Sequence, residues 1–134
     1  MHSVEKGDLS VAMLTARFLQ LGYVVLKPIT ELSRYDLVID RGNGFERVQC
    51  KTARTKGGTI RFNTASSQHH HKTGAGRRSY RGEVELFGAY CPEAGGTCLL
   101  VPVDQVGETE AVLRRQPPRN GQTKGVRLVD DYIL

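Results

Sequence analysis

The feature that most constrains the fold is a pair of alternating segments, residues 35–40 and 45–52, on either side of a glycine-rich turn. The turn, residues 41–44, combines two glycines with an asparagine, which is typical of a tight reversal between antiparallel strands. The midpoint of positions 36 and 49 falls within this turn, so the sequence predicts a hairpin with Asp36 opposite Gln49. A shift of the register by one residue would bury the charged side chains, and the pairing is therefore well specified.

The two faces of the predicted hairpin differ in character. One face is apolar and is predicted to pack against a core, and it carries Leu37, Ile39, Val48 and Cys50. The other face is mostly polar and brings together Asp36, Gln49 and Lys51. A carboxylate, an amide and an ammonium group on one face are also common on solvated hairpins, so the pattern alone leaves that interpretation open.

The remaining chain predicts one α/β domain over residues 1–134, with a central mixed β-sheet flanked by helices. Apolar positions at helical spacing predict a helix over residues 8–21, started at Gly7-Asp8 and ended at Gly22. Further segments are predicted as strands at 23–26, 59–63, 84–91 and 97–101, as a short helix at 103–106, as basic loops at 64–82 and 114–125, and as a strand or packed tail at 126–134.

Basic residues are concentrated in two stretches that contain no acid. The chain carries 19 Lys+Arg and 14 Asp+Glu, a formal net charge of +5. Residues 47–82 hold nine of the cations, and residues 111–129 are also free of Asp and Glu. Such segregation is typical of a surface that binds a polyanion. A solvated, disordered loop explains residues 64–82 equally well.

Several classes of protein are disfavoured by the composition. No apolar run approaches the roughly 20 residues of a membrane span, and the first residues lack the pattern of a secretion signal, so a cytoplasmic protein is expected. Three cysteines do not suggest a disulfide framework. The adjacent histidines 69–71 lack the spacing of a metal site and fit a polar loop better.

Several segments, in order along the chain, resemble the PD-(D/E)XK nuclease superfamily. Asp36 followed by Gln49-Cys50-Lys51 is similar to its D…(E/Q)-x-K signature, with glutamine in place of the second acid. The wider match comprises residues 35–38, 48–53, 82–87, 90–92 and 117–122. The resemblance extends over residues 6–133 and is to the branch of bacterial group I intron-encoded homing endonucleases.

This resemblance implies a restriction-endonuclease-like core that hydrolyses phosphodiester bonds of duplex DNA with Mg²⁺ or Mn²⁺, as a homodimer or homotetramer. Asp36 and Gln49 would bind the metal. Lys51 would position a water or stabilise the charge that develops on the phosphate. The basic residues expected to contact DNA are Arg54, Lys56, Arg61, Lys72, Arg77, Arg78, Arg81, Arg119 and Lys124.

One position departs from the family pattern. The first helix of the family carries a glutamate in a G-x-x-x-E pattern, and here Gly7 is followed at that spacing by Val11, which cannot bind a metal. Asp8 lies three residues earlier on the same helical face and is a candidate substitute. Two alternatives to a homing endonuclease therefore stay open: a non-catalytic DNA-binding protein on the same fold, and a structure-specific nuclease acting on four-way DNA junctions.

Overall fold

The computed structural model describes residues 1–67 and 77–134. In that part of the chain the elements are α1 (Ser3–Gln20), β1 (Val24–Leu26), β2 (Leu37–Asp40), β3 (Phe45–Thr52), β4 (Arg54–Lys56), β5 (Thr59–Asn63), β6 (Ala65–Ser67), β7 (Arg77–Ser79), β8 (Leu86–Cys91), β9 (Thr97–Pro102) and β10 (Glu110–Arg114). Three short 3₁₀ helices span Pro92–Ala94, Val103–Gln105 and Val129–Asp131.

The central feature is a five-stranded mixed sheet with the strand order β1-β2-β3-β8-β9. Strands β3 and β8 are parallel, and the other neighbours in this sheet are antiparallel. Two smaller antiparallel sheets have the orders β10-β5-β4 and β6-β7. The predicted mixed sheet is thus confirmed.

Each face of the central sheet is covered by a different layer. On one face, Leu14 and Phe18 of α1 pack in an apolar cluster with side chains of β2, β3, β8 and β9. On the opposite face, Phe87 of β8 packs with Ile60 and Phe62 of β5 and with buried residues of β10. Within the described residues the sheet is flanked by one α-helix, and the second layer is the small sheet rather than the further helix that the sequence suggested.

Strand β8 is buried along its whole length because it lies between these two layers. Gly88 of this strand lies under the Leu14 side chain of α1. A Cβ atom at position 88 would lie 3.2 Å from Val48 Cγ1 and 3.3 Å from Leu14 Cδ1. A glycine at this position therefore allows α1 to pack closely on the sheet.

The helix differs from its predicted bounds at the start. It begins at Ser3, and the His2 side chain accepts a hydrogen bond from the Val4 amide at 3.4 Å. Gly7, which the sequence suggested as the start, lies inside the helix because the flanking residues carry the helical hydrogen bonding through it. The predicted left-handed glycine after the helix is confirmed at Gly22, where φ is 81°.

Other predicted segments agree with the structure or are refined by it. Strand β5 has the predicted bounds 59–63, whereas β4 and β10 were not anticipated. The predicted loop 64–82 begins and ends with the paired strands β6 and β7, and its residues 68–76, including the histidines 69–71, lie outside the described residues. The C-terminal segment packs along β9 through a bridge between Leu99 and Ile133. No helix in the described ranges has the length and apolar character needed to cross a membrane.

Candidate active site

The hairpin formed by β2 and β3 has the register that the sequence predicted. Leu37 pairs with Val48 and Val38 pairs with Arg47, so the register continued by one residue places Asp36 opposite Gln49. The Asp36 amide donates a hydrogen bond to the Val48 carbonyl oxygen at 2.9 Å. Asp36 therefore lies immediately before β2, at the level of the Gln49-Cys50-Lys51 segment of β3.

The alternation of the hairpin faces is also confirmed. Leu37, Val48 and Cys50 are buried in the cluster beneath α1. Gln49 and Lys51 lie on the opposite face of β3 and are half-buried. In the parallel pairing with β8, Gln49 lies beside Phe87 and Lys51 lies beside Ala89, so both polar side chains emerge over the second core layer.

The Asp36 carboxylate is fixed by the backbone of β3. Its Oδ2 atom accepts a hydrogen bond from the Cys50 amide at 3.0 Å. Burial raises the pKa of Asp36, while the Cys50 amide and the positive charges of Lys51 and Lys27 act in the opposite direction. The backbone contact orients the carboxylate, and none of the described residues donates a hydrogen bond to Oδ1.

The Lys51 ammonium lies against an aromatic ring rather than in a direct ion pair. Lys51 Nζ is 4.8 Å from the centroid of the Tyr80 ring. Among the described residues no salt bridge joins Lys51 to a carboxylate. Burial lowers the pKa of Lys51, the Asp36 charge raises it, and the Arg34 charge lowers it further.

Arg34 connects the site to the neighbouring β6–β7 strand pair. Its guanidinium carbon lies 3.9 Å from the Tyr80 ring centroid, and its Nε donates to Glu83 at 2.8 Å. Its remaining nitrogens donate to Ser66 Oγ at 2.7 Å and to the Ser79 carbonyl oxygen at 2.9 Å. Sequence analysis missed both Arg34 and Tyr80. The position of Arg34 two residues before Asp36 was the one signal that could have indicated it.

Asp36 borders two cavities. The larger has a volume of 1150 Å³, lies between α1 and the segment before β2, and is also lined by Asp8 and Val11. The smaller has a volume of 360 Å³ and is also lined by Gln49, Arg34 and Tyr80. Glu31 and Ser33 line both cavities together with Asp36.

A hydrogen bond joins α1 to β3 next to Val11 and Lys51. Ser10 Oγ and Thr52 Oγ1 share a hydrogen bond of 2.6 Å, and Ser10 is buried. Ser10 precedes Val11, and Thr52 follows Lys51. The family resemblance implies that the side chain at position 11 lies close to Asp36 and Lys51. Position 11 shares the larger cavity with Asp36, whereas Lys51 does not line that cavity. Asp8 lines it too, so its candidacy as a substitute carboxylate stands.

The donor set around Asp36 fits a hard divalent cation that keeps most of its own water. Asp36 offers a carboxylate oxygen, and Gln49 lines the smaller cavity with it and offers an amide oxygen. The described residues contain no cluster of three His, Cys, Asp or Glu side chains. Mg²⁺ in phosphoryl-transfer sites is held by as few as one or two carboxylates together with water and substrate phosphate, so this set is sufficient in kind.

The basic residues predicted to contact DNA fall into groups. Within the acid-free stretch 47–82, five arginines are paired with glutamates that come from outside the stretch: Arg47, which pairs with Glu85, and four of the predicted DNA contacts. Arg54 and Arg61 share Glu110, Arg78 pairs with Glu83, and Arg81 pairs with Glu108. Lys72 and the side chain of Arg77 lie outside the described residues.

The remaining predicted contacts, Lys56, Arg119 and Lys124, are exposed and form no ion pair with the residues that the structure describes. Arg119 lines a cavity of 660 Å³ together with Arg114 and Arg115. The Arg115 amide donates to the Gly58 carbonyl oxygen at 3.0 Å, which brings this second basic segment beside the β4–β5 turn that follows Lys56.

Comparison with known proteins agrees with this architecture. The sequence profile described as PD-(D/E)XK endonuclease matches residues 1–134. Protein 5.3 of Escherichia phage T7 is 30% identical over 88 residues, which cover 65% of this chain and 71% of that protein. The solved structure of a bacterial homing endonuclease, I-Ssp6803I, superposes with a TM-score of 0.75 at 25% identity, covering 99% of this chain and 89% of the other.

Proposed function

Because the chain belongs to the PD-(D/E)XK endonuclease family, and is therefore a DNA-cleaving hydrolase, we propose that it cuts duplex DNA with Mg²⁺ at a site built from Asp36, Gln49 and Lys51. Residues 1–134 act in this proposal as one nuclease domain. PD-(D/E)XK nucleases generally use divalent metal ions, and Mg²⁺ or Mn²⁺ suits oxygen ligands such as these.

The observation that carries the proposal is the contact between Asp36 Oδ2 and the Cys50 amide, at 3.0 Å. It supports a fixed carboxylate at the level of Gln49 and Lys51, with Oδ1 left as the ligand atom. Asp36 and Gln49 would hold the cation. When bound, the cation supplies a water of lowered pKa and neutralises charge on the scissile phosphate.

Lys51 supplies the protein's own positive charge. Its ammonium group is half-buried, and in a site of low dielectric it stabilises charge on a phosphate oxygen more strongly than an exposed lysine would. The ammonium also orients the attacking water through a hydrogen bond. Because Lys51 shares a strand with Gln49, a phosphate held near the amide is within reach of the ammonium.

The DNA is bound by the basic residues, and these divide by their ion pairing. Lys56, Arg119 and Lys124 are exposed and contact phosphates directly. Arg54, Arg61, Arg78 and Arg81 first lose or share a glutamate partner, so each contributes less net affinity. The fold of I-Ssp6803I, a bacterial homing endonuclease, supports a homing type of target, which a chain of this size reads as a homodimer or homotetramer on a pseudo-palindrome.

Plasmid nicking tests the proposal. Wild type and Asp36→Ala are incubated with supercoiled plasmid across a Mg²⁺ titration, with EDTA as the blank, and binding to a labelled duplex is measured without metal. We expect metal-dependent nicking by wild type, none by Asp36→Ala, and duplex affinity in Asp36→Ala equal to or above wild type because a repelling charge is removed.

Two further arms separate the alternatives. Cleavage of a four-way junction in preference to a linear duplex would favour a structure-specific nuclease. Tight, salt-sensitive binding without cleavage at any metal concentration would favour the non-catalytic DNA-binding protein, the alternative that Val11 suggests. Each released counterion should appear in the slope of log K against log salt, about 0.9 per neutralised phosphate.

A further inference from the structure

We propose that Tyr80 is a positioning residue for the cleavage reaction, because its ring holds the Lys51 ammonium beside Asp36. The proposal rests on the role of Lys51 in the proposed function. It goes beyond that function because Tyr80 lies in no motif of the site and contributes no ligand to it.

The Tyr80 ring is immobilised by the core. Only 5% of Tyr80 is exposed. Its ring meets that of Phe87 edge-on, with a centroid distance of 5.8 Å and an interplanar angle of 89°. The Phe87 ring in turn packs against the Phe62 ring, with a centroid distance of 5.7 Å. Such contacts between aromatic rings fix both position and orientation, so the electron-rich face of Tyr80 has a defined direction.

Two positive charges lie over the Tyr80 ring. Lys51 Nζ lies 4.8 Å from the ring centroid, and the Arg34 guanidinium carbon lies 3.9 Å from it. Both distances are within the roughly 6 Å over which an aromatic face attracts a cation. Phe87, which holds the ring, is also the neighbour of Gln49 in the β3–β8 register. Phe87 therefore packs against the Tyr80 ring and also lies beside the strand that carries Gln49 and Lys51.

A ring suits this position better than a carboxylate would. A lysine ammonium sits on a flexible four-carbon stem and loses hydration when it is half-buried. A direct ion pair with Asp36 would restore that loss but would occupy the carboxylate that the cation needs. The Tyr80 face compensates the ammonium for lost hydration and leaves the carboxylate oxygen and the ammonium protons available to substrate.

Arg34 ties the ring to the segment that carries Asp36. It stacks on Tyr80, pairs with Glu83 at 2.8 Å and donates to the Ser79 carbonyl oxygen at 2.9 Å. Because Arg34 is two residues from Asp36, a displacement of the Tyr80 segment is transmitted to the carboxylate as well as to Lys51. Tyr80 thus fixes the relative position of the two groups.

The test compares Tyr80→Phe, which keeps the ring, with Tyr80→Leu, which removes it. Tyr132→Leu is the matched control, since Tyr132 is half-buried in the C-terminal segment and hydrogen-bonds Gln105. At saturating DNA and metal we expect Tyr80→Leu to cleave about tenfold more slowly, the size of one cation–ring contact. We expect Tyr80→Phe and Tyr132→Leu to stay within about twofold of wild type, and all variants to keep the wild-type Kd for DNA.

A second measurement covers the case in which Tyr80→Leu does not fold. Phenylalanine analogues carrying one, two or three ring fluorines are placed at position 80. Fluorine withdraws electrons from the ring face and changes the volume little. The cleavage rate should fall stepwise with fluorination at constant thermal stability. A flat series, or a Tyr80→Leu variant that cleaves at the wild-type rate, would overturn the positioning role.

A third measurement needs no activity. In the metal-free protein, NMR of the lysine ε-methylene groups should show one resonance shifted by the Tyr80 ring current, assigned by its absence in Lys51→Arg. The shift should disappear in Tyr80→Leu, and its persistence there would refute the contact. A wild type that shows the shift but cleaves no DNA would instead overturn the proposed function, and with it a role for Tyr80 in catalysis.

Discussion

Asp36 has two sides that are built differently. On the lysine side, towards β3, the carboxylate accepts the Cys50 amide, and Lys51 rests on a ring that the core holds in place. On the helix side, towards α1, Asp36 lines a cavity of 1150 Å³ together with Asp8, and valine occupies position 11. The chain itself thus positions the ammonium, whereas the proposed cation would be surrounded largely by water and phosphate.

The largest effect should come from breaking the lysine side. We expect Lys51→Met to lower the cleavage rate by about 10²–10³-fold, because the charge that stabilises the transition state is lost while the stem still covers the Tyr80 ring. DNA affinity should stay near wild type, as measured by a metal-free binding titration. Equal cleavage rates of Lys51→Met and wild type would mean that the polar hairpin face is an ordinary solvated surface without a catalytic role.

The next effect should come from rebuilding the helix side. Val11→Glu adds a carboxylate to the cavity that Asp36 borders, and we expect Mn²⁺ affinity to rise about tenfold, with faster nicking. The metal-free protein should lose a little stability through repulsion between the two acids. Val11→Gln is the matched control, since it has the same length without the charge. An unchanged Mn²⁺ affinity in Val11→Glu would mean that another carboxylate already fills this role.

Asp8 is the candidate for that other carboxylate, and a smaller effect is expected from it. Asp8 is exposed and lines the same cavity, so Asp8→Asn should weaken Mn²⁺ binding by about threefold in wild type, a change typical of a solvated charge interaction. In the Val11→Glu background the loss should be smaller still. Mn²⁺ titrations of wild type, Asp8→Asn, Val11→Glu and the double variant measure the coupling between positions 8 and 11. An equal loss of Mn²⁺ affinity on Asp8→Asn in both backgrounds would contradict a shared ligand position.

The smallest effect concerns stability without metal. Burial raises the pKa of Asp36, so the folded protein is penalised when this carboxyl ionises. Asp36→Asn removes the charge and can still accept from the Cys50 amide. It should therefore raise the free energy of unfolding near neutral pH, and the gain should vanish as the pH falls below the ordinary value of 3.8. Urea unfolding of both proteins at several pH values checks this, and a constant or negative difference would contradict it.

The sequence predicted the lysine side better than the helix side. The placement of Asp36 opposite Gln49 followed from two alternating runs and a glycine turn, all of which are local signals. The ring under Lys51 could not be predicted, because Tyr80 lies in a polar segment without periodicity and its contact with Lys51 depends on tertiary structure. Strand β10 was missed although Ala111 and Leu113 alternate with exposed residues, because five residues are too few to distinguish a strand from a loop.

The surface charge was also predicted incompletely from the sequence. The stretch 47–82 contains no acid, which favoured a surface that binds a polyanion, yet five of its arginines form ion pairs with glutamates from other segments. Arg54 and Glu110 are 56 residues apart in sequence and form an ion pair in the fold. A concentration of one charge along the chain therefore does not predict the charge of the surface, because strands such as β10 bring the opposite charge beside it.

The absence of a side chain at Gly88 affects how closely α1 can pack on the sheet. A Cβ at that position would lie 3.3 Å from Leu14 Cδ1, closer than ordinary van der Waals contact, so an alanine there requires the Leu14 side chain or α1 itself to shift by a few tenths of an ångström. Position 11 lies one turn earlier on α1, so a shift of the helix would also change the distance between position 11 and Asp36. Because it carries no side chain, Gly88 helps to set the distance that a side chain at position 11 must span to reach Asp36.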